Sequence, residues 1–492
     1  MNKQIFRTEI FFYIAFLLAC VFILLQSPLA PYAKSSNGID SSVYIYSAQQ
    51  ILKGQTMYRD IVDHKGPFLY LINVVALFIF KGKFIGVWIF EIIALFTTSI
   101  MMYKTARFFA GKISSFFAVI TAILFLVPLI IGGNNAEEWA LPFISVALYI
   151  FVAYLKENKP LTIIWLAILS LTFVLTFMIR VNLAALWVGF GIVLLIKWIV
   201  EKKHKELIRN VLFLLFFIFL FLLPFFLYIY FRGALSDALY LVFKFNMFEY
   251  EPNTISLTLK RCFKILTGVY FLSAIPFIIM TYMLFRKKTA VNWSVLLAFV
   301  FTALACSLGR RYQHYFMIFA PLLAIPYAYI FDVIKESIRN KVKYPLLFTL
   351  FILYNYNPAI IQAQNIVDNY SENGYGIGVI SPPTREMLKK IILQNTTPED
   401  KILVNGLQSS LYLYSGRTCA IRFPYPLMKS SFAKKYYVED AEKALPKLII
   451  RGDIVNSLGG DDFNLDSLIN NKYQLIPTCI DGVEIWKLKD SR

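Results

Sequence analysis

Long apolar runs, separated by short polar stretches, fill the chain up to about residue 357. A helix needs about 20 apolar residues to cross a bilayer, so these runs predict membrane-spanning helices. The run 67–80 is short for a span and fits a re-entrant or interfacial helix better. We therefore predict eleven spans, at about 10–27, 84–103, 113–131, 139–155, 161–179, 183–200, 211–231, 265–285, 291–308, 315–333 and 344–357.

The Lys and Arg residues orient these spans. With the N-terminus inside, every cytoplasmic connection is basic, as the positive-inside rule requires. If 67–80 were a full span, every later basic loop would face outwards. The pattern therefore predicts a cytoplasmic N-terminus and an extracytoplasmic C-terminus. The basic positions are Lys3, Arg7, Lys104, Arg107, Lys112, Lys156 and Lys159, with the stretches 201–209, 286–288 and 335–343.

The last part of the chain changes character. Residues 1–357 are predicted to form the transmembrane domain, and residues 358–492 a small extracytoplasmic α/β domain of mixed polarity. The stretch 405–417 fits a strand followed by a turn better than the wall of a groove. Four runs resemble strands, "KILV" at 401–404, "LYLY" at 411–414, "KLII" at 447–450 and "GVEIWKL" at 482–488.

Composition supports a polytopic α-helical membrane protein. The 492 residues are 58% hydrophobic and only 16% charged, with a mean hydropathy of +0.61, whereas soluble domains are about 45–50% apolar and about 25% charged. The net charge of +19 is explained by cytoplasmic loops beside anionic lipid, so nucleic acid is not an expected partner. The first apolar run lacks a cleavage site and reads as an anchor. The expected location is the plasma membrane of a bacterium.

Five cysteines give little further information. Cys20 and Cys306 lie in apolar runs and Cys262 near another, where Cys is usually a small hydrophobe. Cys419 and Cys479 lie in the tail and are a candidate disulfide if the tail is extracytoplasmic. No CxxC motif and no metal-binding spacing occurs.

Polar residues gather in the loops that this topology places outside. Each also has a simple structural interpretation. Asp40 suits a helix N-cap, and the second-loop acids suit solvated positions at a helix N-terminus. The arginines suit snorkelling at the interface. The gathered residues are Asp40, Tyr44, Tyr46, Tyr58, Arg59, Asp60, Asp63, His64 and Lys65 in the first loop, Glu137 and Glu138 in the second, Arg180 and Asn182 in the third, the stretch "KFNMFEYEPN" in the fourth, and Arg310, Arg311, His314 and Tyr315 in the fifth. Of these, Tyr46, Asp63, Asn182 and the fourth-loop stretch are not chosen as site residues.

Taken together, these residues favour chemistry on a lipid phosphate. Arginine forks bind phosphate oxygens at the head-group level, and a carboxylate beside them suits a general base. Glu91 lies inside the run 84–103, where a carboxylate is costly, and it is not chosen as a site residue. The combination indicates glycosyl transfer from a lipid-phosphate sugar at the outer leaflet.

The first outer loop also resembles a known family. The series "D…ILKG…YRD…HKGP", from Asp40 to Pro67, is similar to the first loop of bacterial GT-C glycosyltransferases, closest to family 39, the protein-mannosyltransferase-like branch of the ArnT/PMT-like superfamily. "GGNNAEEWALP" (132–142) resembles the second acidic loop, and "RRYQHYFMIFAP" (310–321) a later Arg-Tyr-His-Tyr motif. "HKGP" departs from the "KPP" of many relatives, with Gly66 at the middle place. This departure leaves the protein-mannosylating and lipid A-modifying members in doubt as guides to substrate.

The resemblance implies a GT-C fold and an inverting membrane glycosyltransferase. Asp40 would be the general base that activates the acceptor hydroxyl. Glu137 or Glu138 would shape the acceptor or metal side. The resemblance implies phosphate binding by Arg180, Arg310, Arg311, His314 and Tyr315, and first-loop substrate contacts by Tyr44, Tyr58, Arg59, Asp60, His64 and Lys65.

The expected partners are a polyprenyl-phosphate sugar donor, the lipid bilayer and a cell-envelope acceptor, which is a polymer, a glycolipid or a protein. No cofactor is certain. A divalent cation between Asp40 and Glu137 stays open, since Mg²⁺ and Mn²⁺ favour oxygen ligands. Other classes also fit the pattern: a lipid-linked oligosaccharide transporter or flippase, a polysaccharide polymerase or ligase, and a non-catalytic assembly protein.

Overall fold

A computed structural model describes residues 3–130, 132–250, 254–267, 271–308, 312–337, 343–371, 380–427, 430–453, 455 and 463–489. Sixteen helices are described before residue 371: α1 (Lys3–Leu24), α2 (Ile39–Leu52), α3 (Pro67–Ile79), α4 (Ile85–Ala106), α5 (Lys112–Leu124), α6 (Ala136–Glu157), α7 (Ile163–Phe177), α8 (Ala185–Val200), α9 (His204–Phe231), α10 (Leu235–Leu239), α11 (Asn246–Phe248), α12 (Ile255–Thr267), α13 (Phe271–Arg286), α14 (Ala290–Ser307), α15 (Ala320–Ser337) and α16 (Lys343–Tyr370).

A helix lies at each of the eleven predicted spans. Within the described residues, six helical segments are long and apolar enough to cross a membrane. The helical membrane fold is therefore present, while the count of eleven stays a prediction. The six segments are Ile85–Ala106, Ala136–Glu157, Val181–Val200, His204–Phe231, Ala290–Ser307 and Gln313–Glu336.

The run omitted from the spans forms α3, a helix of 13 residues. It begins with Pro67 at its first position, where proline costs no hydrogen bond. Its faces differ, because Leu69, Asn73 and Leu77 are buried while Phe78 is exposed. The exposed side is apolar as well, with Leu71 and Val75 on it, so the placement of α3 at the interface stays a prediction.

Helices α1 and α16 are tied together near their C-terminal ends. The Gln362 side chain of α16 donates to the carbonyl oxygens of Phe22 and Ile23 at 2.7 and 3.0 Å. The Asn369 side chain donates to the carbonyl of Ser27 at 2.9 Å, and the backbone carbonyl of Asn369 accepts from the backbone N–H of Lys34 at 2.8 Å. Helix α16 also runs unbroken across the predicted domain boundary at 357/358. These contacts fix the start of the first outer loop.

The C-terminal region contains a five-stranded sheet in the order β2-β1-β3-β5-β4. Strand β1 is parallel to β2 and β3, with Ile402 opposite Cys419 and Leu448. Strand β5 is antiparallel to β3 and β4. The elements are α17 (Pro382–Asn395), β1 (Lys401–Val404), α18 (Ser410–Ser415), β2 (Thr418–Cys419), α19 (Ser431–Ala444), β3 (Leu448–Arg451), α20 (Asp466–Lys472), β4 (Tyr473–Ile476) and β5 (Glu484–Leu488).

Two predictions for this region are wrong. The run 411–414 is not a strand but helix α18, which ends at Gly416 with φ +66°. The neighbours Leu411 and Tyr412 are both buried, which a helix permits and a half-exposed strand does not. The candidate disulfide is absent, because Cys419 is buried as a free thiol and Cys479 is exposed as another.

The C-terminal domain is docked on the first outer loop. The backbone N–H of Asn37 donates to the Tyr414 hydroxyl at 2.9 Å, and that of Cys419 to the Tyr46 hydroxyl at 2.9 Å. The backbone N–H of Val62 donates to the carbonyl of Arg422 at 2.7 Å. Three separate points of the loop are therefore held by the same domain.

Candidate active site

Asp40 lies in the first turn of α2 but does not cap it. The N-cap residue is Gly38, and no side chain makes a capping hydrogen bond there. The N-cap interpretation of Asp40 is therefore wrong. Within the part of the chain that the structure describes, no residue forms a hydrogen bond or an ion pair with its carboxylate. Asp40 is half-buried, and neither of its oxygens is engaged by a described residue.

Two glycines set the position of this turn. A Cβ added to Gly38 would lie 3.0 Å from the Cα of Gly132, and one added to Gly132 would lie 2.7 Å from the Cα of Gly38. Gly132 also has φ +80°, a conformation that suits glycine. The first and second outer loops thus touch backbone to backbone beside Asp40.

Tyr44 follows Asp40 by one helical turn. Its ring is 1% exposed, and its hydroxyl is buried with no hydrogen-bond partner among the described residues. Burial raises the pKa of Tyr44 well above its usual value, and the charges of Asp40, Asp63 and Glu137 raise it further. The phenol is therefore protonated, with an unused donor close to three carboxylates. A buried hydroxyl without a partner is costly, so this donor is suited to a ligand.

Asp63 is the centre of a hydrogen-bonded cluster. It accepts from the Tyr70 hydroxyl at 2.5 Å, from the Tyr425 hydroxyl at 2.7 Å and from the His64 backbone at 2.6 Å. Burial acts to raise the pKa of Asp63, but the charge of Lys65 and the hydrogen bonds from the two hydroxyls outweigh it and hold the pKa below its usual value. Asp63 is thus a buried carboxylate that stays ionised.

His64 connects this cluster to Lys65. Burial, with the nearby Lys65 charge, holds the pKa of His64 well below its usual value. The neutral ring accepts from the Lys65 ammonium at Nε2, 3.0 Å away, so its proton is on Nδ1. Nδ1 lies 3.3 Å from Asp63 Oδ1 and 3.3 Å from the Tyr425 oxygen. The His64 ring also packs on Tyr250, with the centroids 4.9 Å apart.

Gly66 explains the departure from "KPP". Its N–H donates to the carbonyl of Ile179 at 3.0 Å, a bond that proline cannot make. A Cβ at this position would lie 2.1 Å from the carbonyl oxygen of Met178. The first loop is thereby pressed against the backbone that leads directly to Arg180.

We expect Gly66→Ala to destabilise the protein by about 1–3 kcal/mol, because an added methyl in a packed contact forces the backbone to move. Thermal unfolding of the purified protein in detergent measures this loss. The matched control is Gly191→Ala in α8, where an added Cβ meets nothing within 4 Å. An unchanged melting temperature for Gly66→Ala would contradict the close contact with Met178.

Glu137 and Arg180 form a buried ion pair. The Arg180 Nη1 donates to Glu137 Oε1 at 2.9 Å, and the two side chains are 14% and 2% exposed. His314 Nε2 lies 4.0 Å from Glu137 Oε2, and the guanidinium lies 4.2 Å from the centre of the Tyr315 ring. Neither the solvated interpretation of Glu137 nor the snorkelling interpretation of Arg180 is correct.

Glu138 points to a different set of partners. Its carboxylate accepts from the backbone of Asn135 at 3.3 Å and from the Asn135 side chain at 2.7 Å, completing a capping box for α6. It also hydrogen-bonds Glu91, which accepts from the backbone of Asn134. Glu91 therefore lies at the outer end of α4, next to the second loop.

Tyr250, from the loop before α12, marks where the charged groups meet. Burial raises the pKa of Tyr250, the charges of Lys65 and Arg180 lower it, and that of Asp40 raises it. The same Asp40 charge acts on Tyr425. The charges of Asp40, Lys65 and Arg180 thus all act on one phenol.

The other predicted site residues are placed as follows. The Tyr58 hydroxyl donates to the carbonyl of Lys65 at 2.9 Å, so this buried ring supports the loop. Arg59 and Asp60 pair with each other at 2.8 Å. They line a cavity of about 330 Å³ against the C-terminal domain, and its described walls include neither Asp40 nor Asp63. Arg310 and Arg311 lie outside the described residues.

Metal binding is not supported by the geometry. The described residues contain no group of three or more His, Cys, Asp or Glu side chains that could hold an ion. Glu137, the expected partner of Asp40 in a cation site, is already paired with Arg180. The divalent cation stays an untested prediction.

Sequence reasoning missed three members of the site. Asp63 lies directly before the "HKGP" motif, between the predicted site residues Asp60 and His64. That position could have indicated that Asp63 belongs to the site. Tyr425, in "RFPYPL", and Tyr250, in "FEYEP", carry no local signal, because their contacts are made by residues far away in the chain.

A comparison with protein families shows the family to which the chain belongs. The family model described as "Putative competence-induced protein Ccs4 N-terminal domain" matches residues 2–344. The chain belongs to this family. In this member of the Ccs4 N-terminal domain family, the matched range includes Asp40, Asp63 and the Glu137–Arg180 pair. Tyr425, which also contacts Asp63, lies beyond it. No curated protein matches the chain by sequence.

Solved structures show the fold of this Ccs4-family chain. ArnT from Cupriavidus metallidurans, bound to undecaprenyl phosphate, is similar with a TM-score of 0.69 at 10% identity, over 98% of both chains. The oligosaccharyltransferase AglB from Archaeoglobus fulgidus, in complex with an inhibitory peptide and a dolichol-phosphate, is similar with a TM-score of 0.58 at 13% identity, over 90% of this chain and 70% of that one. The chain therefore has the GT-C fold of a multi-pass membrane protein, as the resemblance implies.

Proposed function

We propose that the protein is an inverting glycosyltransferase that moves a sugar from a polyprenyl-phosphate donor to an extracytoplasmic cell-envelope acceptor. The observation that carries the proposal is the carboxylate of Asp40, which pairs with none of the described residues and lies one helical turn from the unused hydroxyl of Tyr44. The charges of Asp40, Lys65 and Arg180 all act on the same residue, Tyr250. Support from the fold is general, since the ArnT neighbour holds undecaprenyl phosphate and the AglB neighbour a dolichol-phosphate.

In the proposed reaction Asp40 takes the proton of the acceptor hydroxyl. The acceptor oxygen forms a bond to the anomeric carbon as the bond from that carbon to the phosphate oxygen breaks. The electron pair leaves with the polyprenyl phosphate, and the anomeric configuration inverts. The Tyr44 hydroxyl, one turn from Asp40, donates to a substrate oxygen, which satisfies its unused donor.

The leaving phosphate gains charge as the bond breaks, so nearby cations stabilise the transition state. Lys65 and Arg180 supply these charges. Arg180 is orientated by Glu137 and by the Tyr315 ring, and Lys65 by His64. In this scheme Glu137 acts through Arg180 rather than on the acceptor directly. We assign Arg310 and Arg311 to the same phosphate, on the resemblance alone.

We further propose the finer topology: eleven spans, a cytoplasmic N-terminus, the site at the outer surface of a bacterial plasma membrane, and residues 358–492 outside as a separate domain. The basic inner connections support this orientation.

The test incubates the purified full chain with a panel of sugars linked to undecaprenyl phosphate and with envelope fractions as acceptors. We expect release of undecaprenyl phosphate, with transfer of the sugar, for at least one donor. Failure to turn over any donor of the panel would contradict the proposal. Movement of an intact lipid-linked sugar across a vesicle membrane, without release of phosphate, would favour the transporter class instead.

A further inference from the structure

Tyr425 lies in the segment of the C-terminal domain between β2 and α19. This segment crosses the first outer loop, where the carbonyl of Arg422 accepts from Val62 at 2.7 Å. Phe423 and Leu427, on either side of Tyr425, are 0% and 2% exposed. The position of the Tyr425 side chain is therefore fixed by packing and by a backbone contact with the residue that precedes Asp63.

The hydroxyl of Tyr425 bridges two groups of the membrane domain. It donates to Asp63 Oδ1 at 2.7 Å and lies 3.3 Å from His64 Nδ1, the nitrogen that carries the proton. One oxygen thus accepts from the histidine while donating to the carboxylate. The opposite nitrogen of the same ring accepts from the Lys65 ammonium at 3.0 Å. A continuous chain of hydrogen bonds connects the C-terminal domain to a cation of the site.

We propose that the C-terminal domain completes the active site, with Tyr425 as a positioning residue that holds His64, and through it the Lys65 ammonium, in the orientation that receives a lipid phosphate. The inference rests on the proposed function for the identity of the ligand. The positioning itself is a property of the protein without any ligand, so it is measured separately.

The same contacts predict how ligand binding weakens as the pH falls, which is the acid limb of its pH profile. The pKa of Asp63 is depressed, so its negative charge is present at neutral pH and is lost as the pH falls through that pKa. Removing the Tyr425 hydroxyl removes one stabilising donor and raises the pKa of Asp63. In that variant, the loss of ligand binding on acidification therefore begins at a higher pH. The groups that face Asp63 are His64 and Lys65 in its own loop, Tyr58 before it, Tyr44 on α2, Tyr70 on α3 and Tyr425.

The test compares Tyr425→Phe with the matched control Tyr437→Phe. Tyr437 is a buried tyrosine of the same domain whose hydroxyl donates to Asn405 Oδ1 at 3.1 Å. Two measurements are made on each full-length protein in detergent. The first is the dissociation constant for undecaprenyl phosphate between pH 5 and 8. The second is the ¹⁵N spectrum of protein labelled at histidine, which has only three such residues, with His64 assigned from a His64→Gln sample.

For Tyr425→Phe we expect roughly tenfold weaker binding of undecaprenyl phosphate, an acid limb shifted to higher pH, and altered ¹⁵N signals of His64. Tyr437→Phe should change none of these. Weaker binding with unaltered His64 signals, or equal effects of both variants, would overturn the positioning role. If the wild type does not bind the lipid but the His64 signals change only in Tyr425→Phe, the positioning holds and the proposed function fails.

Discussion

Asp40→Asn should lose about 10²–10⁴-fold of the rate of polyprenyl-phosphate release, the loss expected when a general base is removed. Asparagine keeps the size of the side chain, but its amide cannot take a proton. Because no described residue pairs with the carboxylate and α2 is capped at Gly38, the substitution breaks no hydrogen bond or ion pair among the described residues. Lipid binding and the melting temperature should therefore stay close to those of the wild type.

The control for Asp40→Asn is Asp481→Asn, an equal change at an exposed aspartate of the C-terminal domain. Initial rates at saturating donor are measured for both variants and the wild type. An Asp40→Asn enzyme that works at the wild-type rate would remove Asp40 from the reaction and leave the proposed mechanism without a base. A loss of rate accompanied by an equal loss in Asp481→Asn would point to an effect of charge alone.

Arg180→Gln should have the largest effect on stability, about 3–5 kcal/mol, because it leaves the buried Glu137 carboxylate without its ion-pair partner. The matched variant replaces both members, Arg180→Gln with Glu137→Gln. The double variant has two neutral amides of similar size and no buried unpaired charge, so it should regain most of the stability that Arg180→Gln loses. Thermal unfolding in detergent provides the comparison.

The same pair of variants separates structure from ligand binding. If Arg180 holds the leaving phosphate, the double variant stays weak in binding undecaprenyl phosphate although its stability has recovered. Wild-type affinity in the double variant would show that Arg180 serves only to satisfy Glu137. A single variant as stable as the wild type would contradict the buried ion pair itself.

Periodicity predicts the membrane portion well because its signal is local. Each apolar run forms a helix, and the short run 67–80 forms the 13-residue helix α3. The strand run 411–414 fails for the opposite reason. Leu411, Tyr412 and Tyr414 suit either element by composition, and the contacts of Tyr412 with Val404 and of Tyr414 with Asn37, made to other parts of the chain, favour the helix.

The site residues also differ in how well the sequence predicts them. Asp40 could be chosen from the sequence, since it stands in a polar loop within a recognisable series. The sequence could not separate the roles of the two second-loop acids, because Glu137 and Glu138 are adjacent. In the structure they lie in the first turn of α6, where Glu137 pairs with Arg180 and Glu138 with Asn135. Tyr425 could not be found at all, since it lies more than three hundred residues from Asp63 and its role depends on the docking of a separate domain.

The link between α1 and α16 has a consequence for biosynthesis. Gln362 and Asn369 hold the backbone at Phe22, Ile23 and Ser27, so the loop that carries Asp40 is anchored by residues made late in translation. Contacts so distant in sequence form only after the intervening chain has been inserted. A nascent chain that stops before α16 therefore contains Asp40 but lacks the contacts that hold the start of its loop.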